Sequence, residues 1–341
     1  MKLEYKPYTL DFKFDAGTSR GTMRKRKVWL LELHEPGNPS NGRGEVAPLW
    51  RLSVETEEEV LEQLEKTRKL VEQLPAPTSM DQSYQLAREL SGGVASIRMG
   101  LEMAFIDWLH DGLGVWFQTD FTKRKKDIPI NGLIWMDTAA HMKKQVEEKL
   151  AAGFQCIKMK IGAIDFDKEC AVLKHLRKLN SNVEVRVDAN GAFSTSEVLA
   201  KLKVLSEFDL HSIEQPILPR QSEAMHLIAS RSPVPVALDE ELIGVSHKAD
   251  LLKDIEPDYI VLKPSLLGGF QETSEWIELA EEQNIGWWIT SALESNLGLS
   301  AIAQYVAQYD VKEYQGLGTG SLFHNNLEER TKVEDGYIKY I

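Results

Sequence analysis

Cysteine is scarce: Cys156 and Cys170 are the only two in 341 residues. Two thiols cannot make a disulfide framework, and theirs is not the paired spacing of a zinc site, so a reducing compartment is expected. The eight histidines show no HxH, HxxxH or HExxH spacing, and they read as structural or surface groups. Long apolar runs are missing too. Glu294 interrupts the best candidate, residues 286–307, where a membrane span needs about 18 or more uncharged residues. The N-terminal MKLEYKPYTLDFKF alternates charge with apolar residues and offers no signal-peptide core. Positive charge is not in excess, since 40 Lys+Arg stand against 52 Asp+Glu for a net −12. A nucleic acid needs a basic face, so it is not the expected partner. The basic runs at 24–27 and 123–126 adjoin apolar strand-like segments and read as solvated turns or linkers. A soluble, cytoplasmic globular protein is predicted, without membrane or nucleic acid as partner.

What is present falls into two textures. Residues 1–125 read as an α+β domain. LEYKPYTLDFKF and KRKVWLLELHE look like antiparallel strands joined through AGTSRG (16–21), and GRGEVAPL contains a third strand. Apolar residues recurring at three and four predict helices over 55–74 and 94–109.

From Ile128 onward, short apolar runs alternate with amphipathic helices: IPINGLIW, CIKMKIG, VEVRVDAN, LHSIEQP, PVALDE, YIVLKPS, GWWITSAL and a weaker eighth near VKEYQGL. Their polar ends fall at Lys160, Asp188, Glu214, Asp239, Lys263 and about Ser291, with gaps of 28, 26, 25, 24 and 28 residues. Each gap is one strand, one helix and two loops. Such units in series with right-handed crossovers predict a closed parallel barrel over 126–317. An open doubly wound sheet would carry a Gly-rich turn after its first strand. GLGTG at 316–320 lies too late and lacks GxGxxG spacing.

The charged strand ends lie on the face where barrel enzymes build their sites. Singly, an acidic residue ending a strand is an ordinary helix cap. Five in register are not. Three converging carboxylates, Asp188, Glu214 and Asp239, repel one another unless a cation is bound, and hard oxygen ligands favour magnesium or manganese over zinc. The open coordination positions suit an anionic oxygen of a small carboxylate substrate. Lys158 and Lys160, two apart on one strand, share the inward face while Met159 packs outward. A cation and a neighbouring ammonium both disfavour protonation of Lys160, which makes it a general base, and Lys263 enters from the opposite side. By the same parity Asn190 and Ser265 face the site. This set suits proton abstraction next to a carboxylate.

With KxK at Lys158-x-Lys160, then Asp188, Glu214, Asp239 and Lys263, the chain resembles the muconate-lactonising branch of the enolase superfamily. The resemblance spans nearly the whole chain. It implies a modified (β/α)7β TIM-like barrel, an N-terminal α+β capping domain, and a tail of about 318–341 returning to the cap. It also implies Mg2+ (or Mn2+), the three carboxylates as ligands, and Lys160, Lys263 and Lys158 as catalytic residues. GRGEVAPL, VASIRMGLEMAF, PINGLIW, LKPSLLGG and TSALESNLGL are similar to the o-succinylbenzoate synthases of that branch, which implies a lyase of menaquinone synthesis. Racemisation of N-succinylamino acids or epimerisation of dipeptides is the alternative, because paired bases Lys160 and Lys263 permit it. QGLGTGSLF lacks the acidic pair of dipeptide epimerases. In this fold the cap's early loop closes over the mouth, so Thr18, Ser19, Arg20 and Gly21 are lid candidates, with Arg20 meeting the succinyl carboxylate. Ser291, Glu294 and Ser295 are candidate contacts to the succinyl chain. The sequence leaves homo-oligomerisation open.

Overall fold

Strand β1 (Lys2–Thr18) runs antiparallel to β2 (Gly21–His34), and β2 pairs with β3 (Gly42–Val46). The computed structural model that shows this describes residues 1–18, 21–37 and 39–341. Three helices complete the cap: α1 (Glu57–Val71), α2 (Met80–Leu90) and α3 (Ala95–Leu109). Helix α1 starts at a capping box of Thr56 and Glu59, carries Glu57 and Glu58 in its first turn, and ends with Arg68 and Lys69, as the helix dipole favours. Helix α3 has no polar stripe. Thirteen of its fifteen residues are buried, because it lies between the cap sheet and the barrel helices. Only glycine fits beneath it: a Cβ at Gly42 would lie 2.1 Å from the Ala104 carbonyl oxygen, and one at Gly44 2.0 Å from that of Gly100. The GRG of GRGEV is therefore a packing requirement.

After a short strand β4 (Ile128–Pro129), a parallel sheet forms from β5 (Gly132–Ile134), β6 (Cys156–Lys160), β7 (Glu184–Asp188), β8 (Ser212–Glu214), β9 (Val236–Leu238), β10 (Tyr259–Leu262) and β11 (Gly286–Ile289). The connecting helices are α4 (Ala139–Ala151), α5 (Phe166–Leu179), α6 (Val198–Leu205), α7 (Ser222–Arg231), α8 (Lys248–Ile255), the short α9 (Pro264–Leu267) with α10 (Gly269–Glu282), and α11 (Asn296–Val306). Residues 315–316 close the barrel by bridging Ile130 on one side and Thr290 on the other. The fold is thus the expected (β/α)7β barrel with an α+β cap.

The three largest apolar clusters among the described residues hold it together. One fills the space between barrel strands and helices, one lies inside the cap, and a third joins cap to barrel through Leu10, Phe12, Leu49, Trp135, Leu293 and Phe323. The chain's end adds to the third, where Phe323 bridges Phe12. Further on, β12 (Thr331–Glu334) and β13 (Tyr337–Tyr340) form a hairpin that pairs with β4. The barrel floor is a charged plug. Buried Arg186 bonds Glu184 at 2.7 Å and Glu313 at 2.6 Å and stacks on Trp288, so Trp288 packs the barrel as its apolar strand suggests. No described helix is long and apolar enough to cross a membrane.

Candidate active site

Strand register sets the site. Lys160 lies level with Asp188, and Asp188 with Glu214, so three successive strands present these side chains in one inward-facing row at their C-terminal ends. Asp239 and Lys263 follow at the ends of β9 and β10. All five are nearly buried, with Asp188, Glu214 and Asp239 at 1% exposure.

The two lysines of β6 have unlike surroundings. Lys158 Nζ lies 2.5 Å from Glu214 Oε2 and 3.1 Å from Asp188 Oδ2. Burial disfavours its ammonium, but Asp188 and Glu214 outweigh that and hold its pKa above the ordinary lysine value. Lys160 Nζ donates to Asp188 Oδ2 at 3.0 Å and to Asn190 Oδ1 at 2.8 Å. With one carboxylate beside it, burial prevails and its pKa is lowered, with Lys158 adding to the effect and Asp188 opposing it. Of the two lysines of β6, the one expected from the sequence to act as base is thus the one whose pKa its surroundings lower. Lys263 bonds Asp239. There burial is outweighed by Asp239 and Glu240, so this ammonium is stabilised.

The carboxylates differ as well. Burial would raise Asp188, yet Lys158, Lys160 and Lys263 hold it well below the usual carboxylate range. Glu214 is pushed up to about 8 by burial and by Asp188, against the pull of Lys158. Its Oε1 is buried with no hydrogen-bond partner among the described residues. An orphaned carboxylate oxygen beside Asp188 and Asp239, in an all-oxygen donor set, fits a hard divalent cation. A tighter acidic group, Glu184, His211 and Glu313, sits at the other end of the barrel. Arg186 already neutralises it.

The mouth cavity is lined by Lys158, Lys160, Asp188, Asn190, Lys263 and Ser291, together with Met23, Leu49 and Leu52 from the cap. Asn190 and Ser291 thus face the cavity as expected. Ser265, Glu294 and Ser295, the other expected contacts, are not among the residues that line it. The hydroxyl of Ser265 donates to Glu294, whose other oxygen accepts from the Ala292 N–H at 2.7 Å. Ser295 gives its N–H and hydroxyl to Glu45 of the cap, at 2.9 and 2.5 Å, and Gly298 N–H joins at 3.0 Å. These bonds pin the loop that holds Leu293 in the left-handed region at φ 65°. Their role is to shape the loop. Arg20 and Ser19 of the lid candidates lie outside the described residues.

Sequence reasoning missed Glu45, Asn131, Thr319 and the cap residues Met23, Leu49 and Leu52. Glu45 has a visible signal, a lone acid on a strand entering an apolar stretch. Asn131 has one too: it is a polar residue in PINGLIW with the parity of Lys158, since Leu133 lies level with Lys158.

A capped (β/α)7β barrel with lysines on both sides of a carboxylate row defines a carbon-acid enzyme architecture. Residues 141–340 match the family described as enolase C-terminal domain-like, and the chain belongs to that family. It is 45% identical to the o-succinylbenzoate synthase of Desulfotalea psychrophila over 99% of this chain and 98% of that one. The crystal structure of MenC from the same organism superposes with a TM-score of 0.88 at 42% identity, covering 99% of both chains. An N-succinylamino acid racemase of Thermus thermophilus is 30% identical over 85% of this chain and 77% of its own. The L-Ala-D/L-Glu epimerase of Bacillus subtilis shares the fold, with a TM-score of 0.88 at 17% identity over 100% of this chain and 97% of that one.

Proposed function

We propose that the protein is an o-succinylbenzoate synthase, a lyase that dehydrates 2-succinyl-6-hydroxy-2,4-cyclohexadiene-1-carboxylate to 2-succinylbenzoate in menaquinone synthesis, in the cytoplasm. The observation that carries this reading is the pairing in one cavity of a buried lysine of lowered pKa, Lys160, with a stabilised ammonium, Lys263, in a chain 45% identical at full length to such a synthase.

Asp188, Glu214 and Asp239 would hold one divalent cation, magnesium by preference, which supplies positive charge to the substrate carboxylate. The neutral amine of Lys160 takes the ring proton α to that carboxylate, and the C–H electron pair moves into the carboxylate group. The Lys160 ammonium so formed then gives its proton to the ring hydroxyl. The C–O bond breaks, water leaves, and the ring becomes aromatic. One lysine serves both steps because proton and hydroxyl depart from the same face. Lys263 faces the other side of the ring as a fixed cation, and Lys158 remains protonated between Glu214 and Asp188. Met23, Leu49 and Leu52 shield the mouth from bulk water.

The same lysine pair supports a second reading, racemisation of N-succinylamino acids, and the 30% identical relative favours it over dipeptide epimerisation. Purified protein with magnesium should aromatise the hydroxycyclohexadiene carboxylate rapidly, and excess chelator should stop it. No turnover with magnesium present rules out the synthase. Solvent deuterium entering Cα of both enantiomers of an N-succinylamino acid would then identify the racemase.

A further inference from the structure

Gln215 follows Glu214 directly, is fully buried, and holds a backbone φ of 39°. That is the left-handed region, which glycine and asparagine enter at less cost than glutamine. What glutamine adds is reach, and its hydrogen bonds use it. The Gln215 carbonyl accepts from the N–H of Gly191, just beyond Asp188, at 2.7 Å, and its N–H donates to the Ala237 carbonyl at 2.9 Å. The side-chain Oε1 accepts from the N–H groups of Asp239 and Glu241, both at 3.2 Å. Nε2 donates to the Ile217 carbonyl at 3.0 Å and to Glu241 Oε2 at 3.3 Å. One residue beside Glu214 thus meets the backbone at both of the other acidic strand ends.

The need for this carboxamide arises where β9 stops. Ala237 still pairs with Glu214 across the sheet. At Asp239 the backbone swings to ψ −81°, and a 3-10 turn, Glu240–Leu242, follows. The amides of Asp239 and Glu241 leave the ladder there, and buried N–H groups without partners are costly. Gln215 Oε1 takes both. The direction in which the Asp239 side chain leaves the backbone is therefore set by a group anchored next to Glu214. Glu241, also fully buried, holds the other end of the carboxamide in place, since its Oε1 accepts from the Arg220 N–H at 2.8 Å.

We propose that Gln215 is a positioning residue that sets the spacing of the Glu214 and Asp239 carboxylates, and through it the preference of the site for a small divalent cation. The proposal rests on the reading in which Asp188, Glu214 and Asp239 hold that cation. Magnesium demands near-octahedral ligands at about 2.0–2.1 Å, whereas calcium accepts oxygens at about 2.3–2.6 Å in flexible arrangements. Two carboxylates free to drift apart therefore cost magnesium more than calcium. Groups that orient metal ligands contribute roughly 10–100-fold to affinity.

Calorimetric titration of the full chain, stripped of metal with chelator, tests it with magnesium chloride and calcium chloride as the two probes. Gln215→Met keeps the bulk but can neither donate nor accept, and it should weaken magnesium about tenfold or more while calcium stays within about threefold. Gln215→Asn separates reach from backbone strain, because asparagine tolerates this φ while its carboxamide is a methylene too short for the two N–H groups. It should show the same selective loss, and it carries the test if Gln215→Met does not fold. Glu45→Gln, which loosens the loop after β11 far from the carboxylate row in sequence, should leave both metals within about twofold. Magnesium affinity within about twofold of wild type in the folded Gln215 variants overturns the proposal. So does an equal loss for both metals, the mark of a residue that serves the fold alone, or the same selective loss in Glu45→Gln. A wild-type chain that binds neither metal overturns the reading of the three carboxylates as ligands, before any variant is compared.

Discussion

At the scale of single residues, the division of labour proposed for Lys158 and Lys160 rests on which carboxylates each one meets. Lys160→Ala should lower the dehydration rate by about a thousandfold or more, in keeping with loss of a general acid–base group. Binding of 2-succinylbenzoate should survive in the same variant. A residual rate within tenfold of wild type would remove Lys160 from the proposed mechanism. These residues were readable from the chain because an ammonium or carboxylate ending an apolar strand is conspicuous, and a strand's period of two fixes which charges share a face. Ser265, Glu294 and Ser295 were placed at the mouth for the same reason. Parity and position bring them near the mouth, but only the fold reveals that Glu45, 250 residues away from Ser295 in sequence, takes up its N–H and hydroxyl. Asn131 escaped notice because a lone amide carries no charge to mark it.

At the scale of elements, the barrel's spacing was legible because strand and helix lengths are set by local geometry. Helix α2 and the hairpin β12–β13 were not foreseen: MDQSYQLAREL has few apolar residues, and TKVE and YIKY are too short and polar to mark strands. The contact of β3 with α3 also lay beyond sequence reasoning, since glycine in a strand has several explanations. It gives a sharp expectation. Gly44→Ala would bring a methyl group within 2.0 Å of a helix carbonyl oxygen, and neither backbone can yield without moving the sheet off α3. The cost should be about 3 kcal/mol or more, read as a lower urea midpoint or as insoluble protein. The loop after β11 offers a milder case. Glu45→Gln keeps the shape of the side chain but replaces one acceptor with a donor facing N–H groups, and about 1–3 kcal/mol of stability should go. A melting temperature unchanged in Glu45→Gln would mean that the cap does not anchor this loop.

For the whole molecule, the cap and barrel are joined through α3, and one buried carboxyl on that helix makes the joint sensitive to pH. Glu102 is fully buried, accepts N–H bonds from Phe270 and Gln271 at the start of α10, and lies 3.3 Å from the Arg98 guanidinium. Burial nevertheless dominates and raises its pKa from 4.5 to about 8, with Arg98 opposing. A carboxyl raised in the folded state binds its proton more tightly there than in the unfolded chain. Its contribution to stability is therefore complete below pH 4.5 and is lost as pH rises through about 8. Other buried groups titrate too, so the comparison that isolates it is wild type against Glu102→Gln, whose amide stays neutral throughout. Urea unfolding at pH 5, 7 and 9 should show wild type losing stability relative to Glu102→Gln by roughly a few kcal/mol across that range. Parallel pH profiles for the two proteins would show that Glu102 does not titrate between these limits, and that its bonds to α10 and Arg98 keep it ionised within the joint.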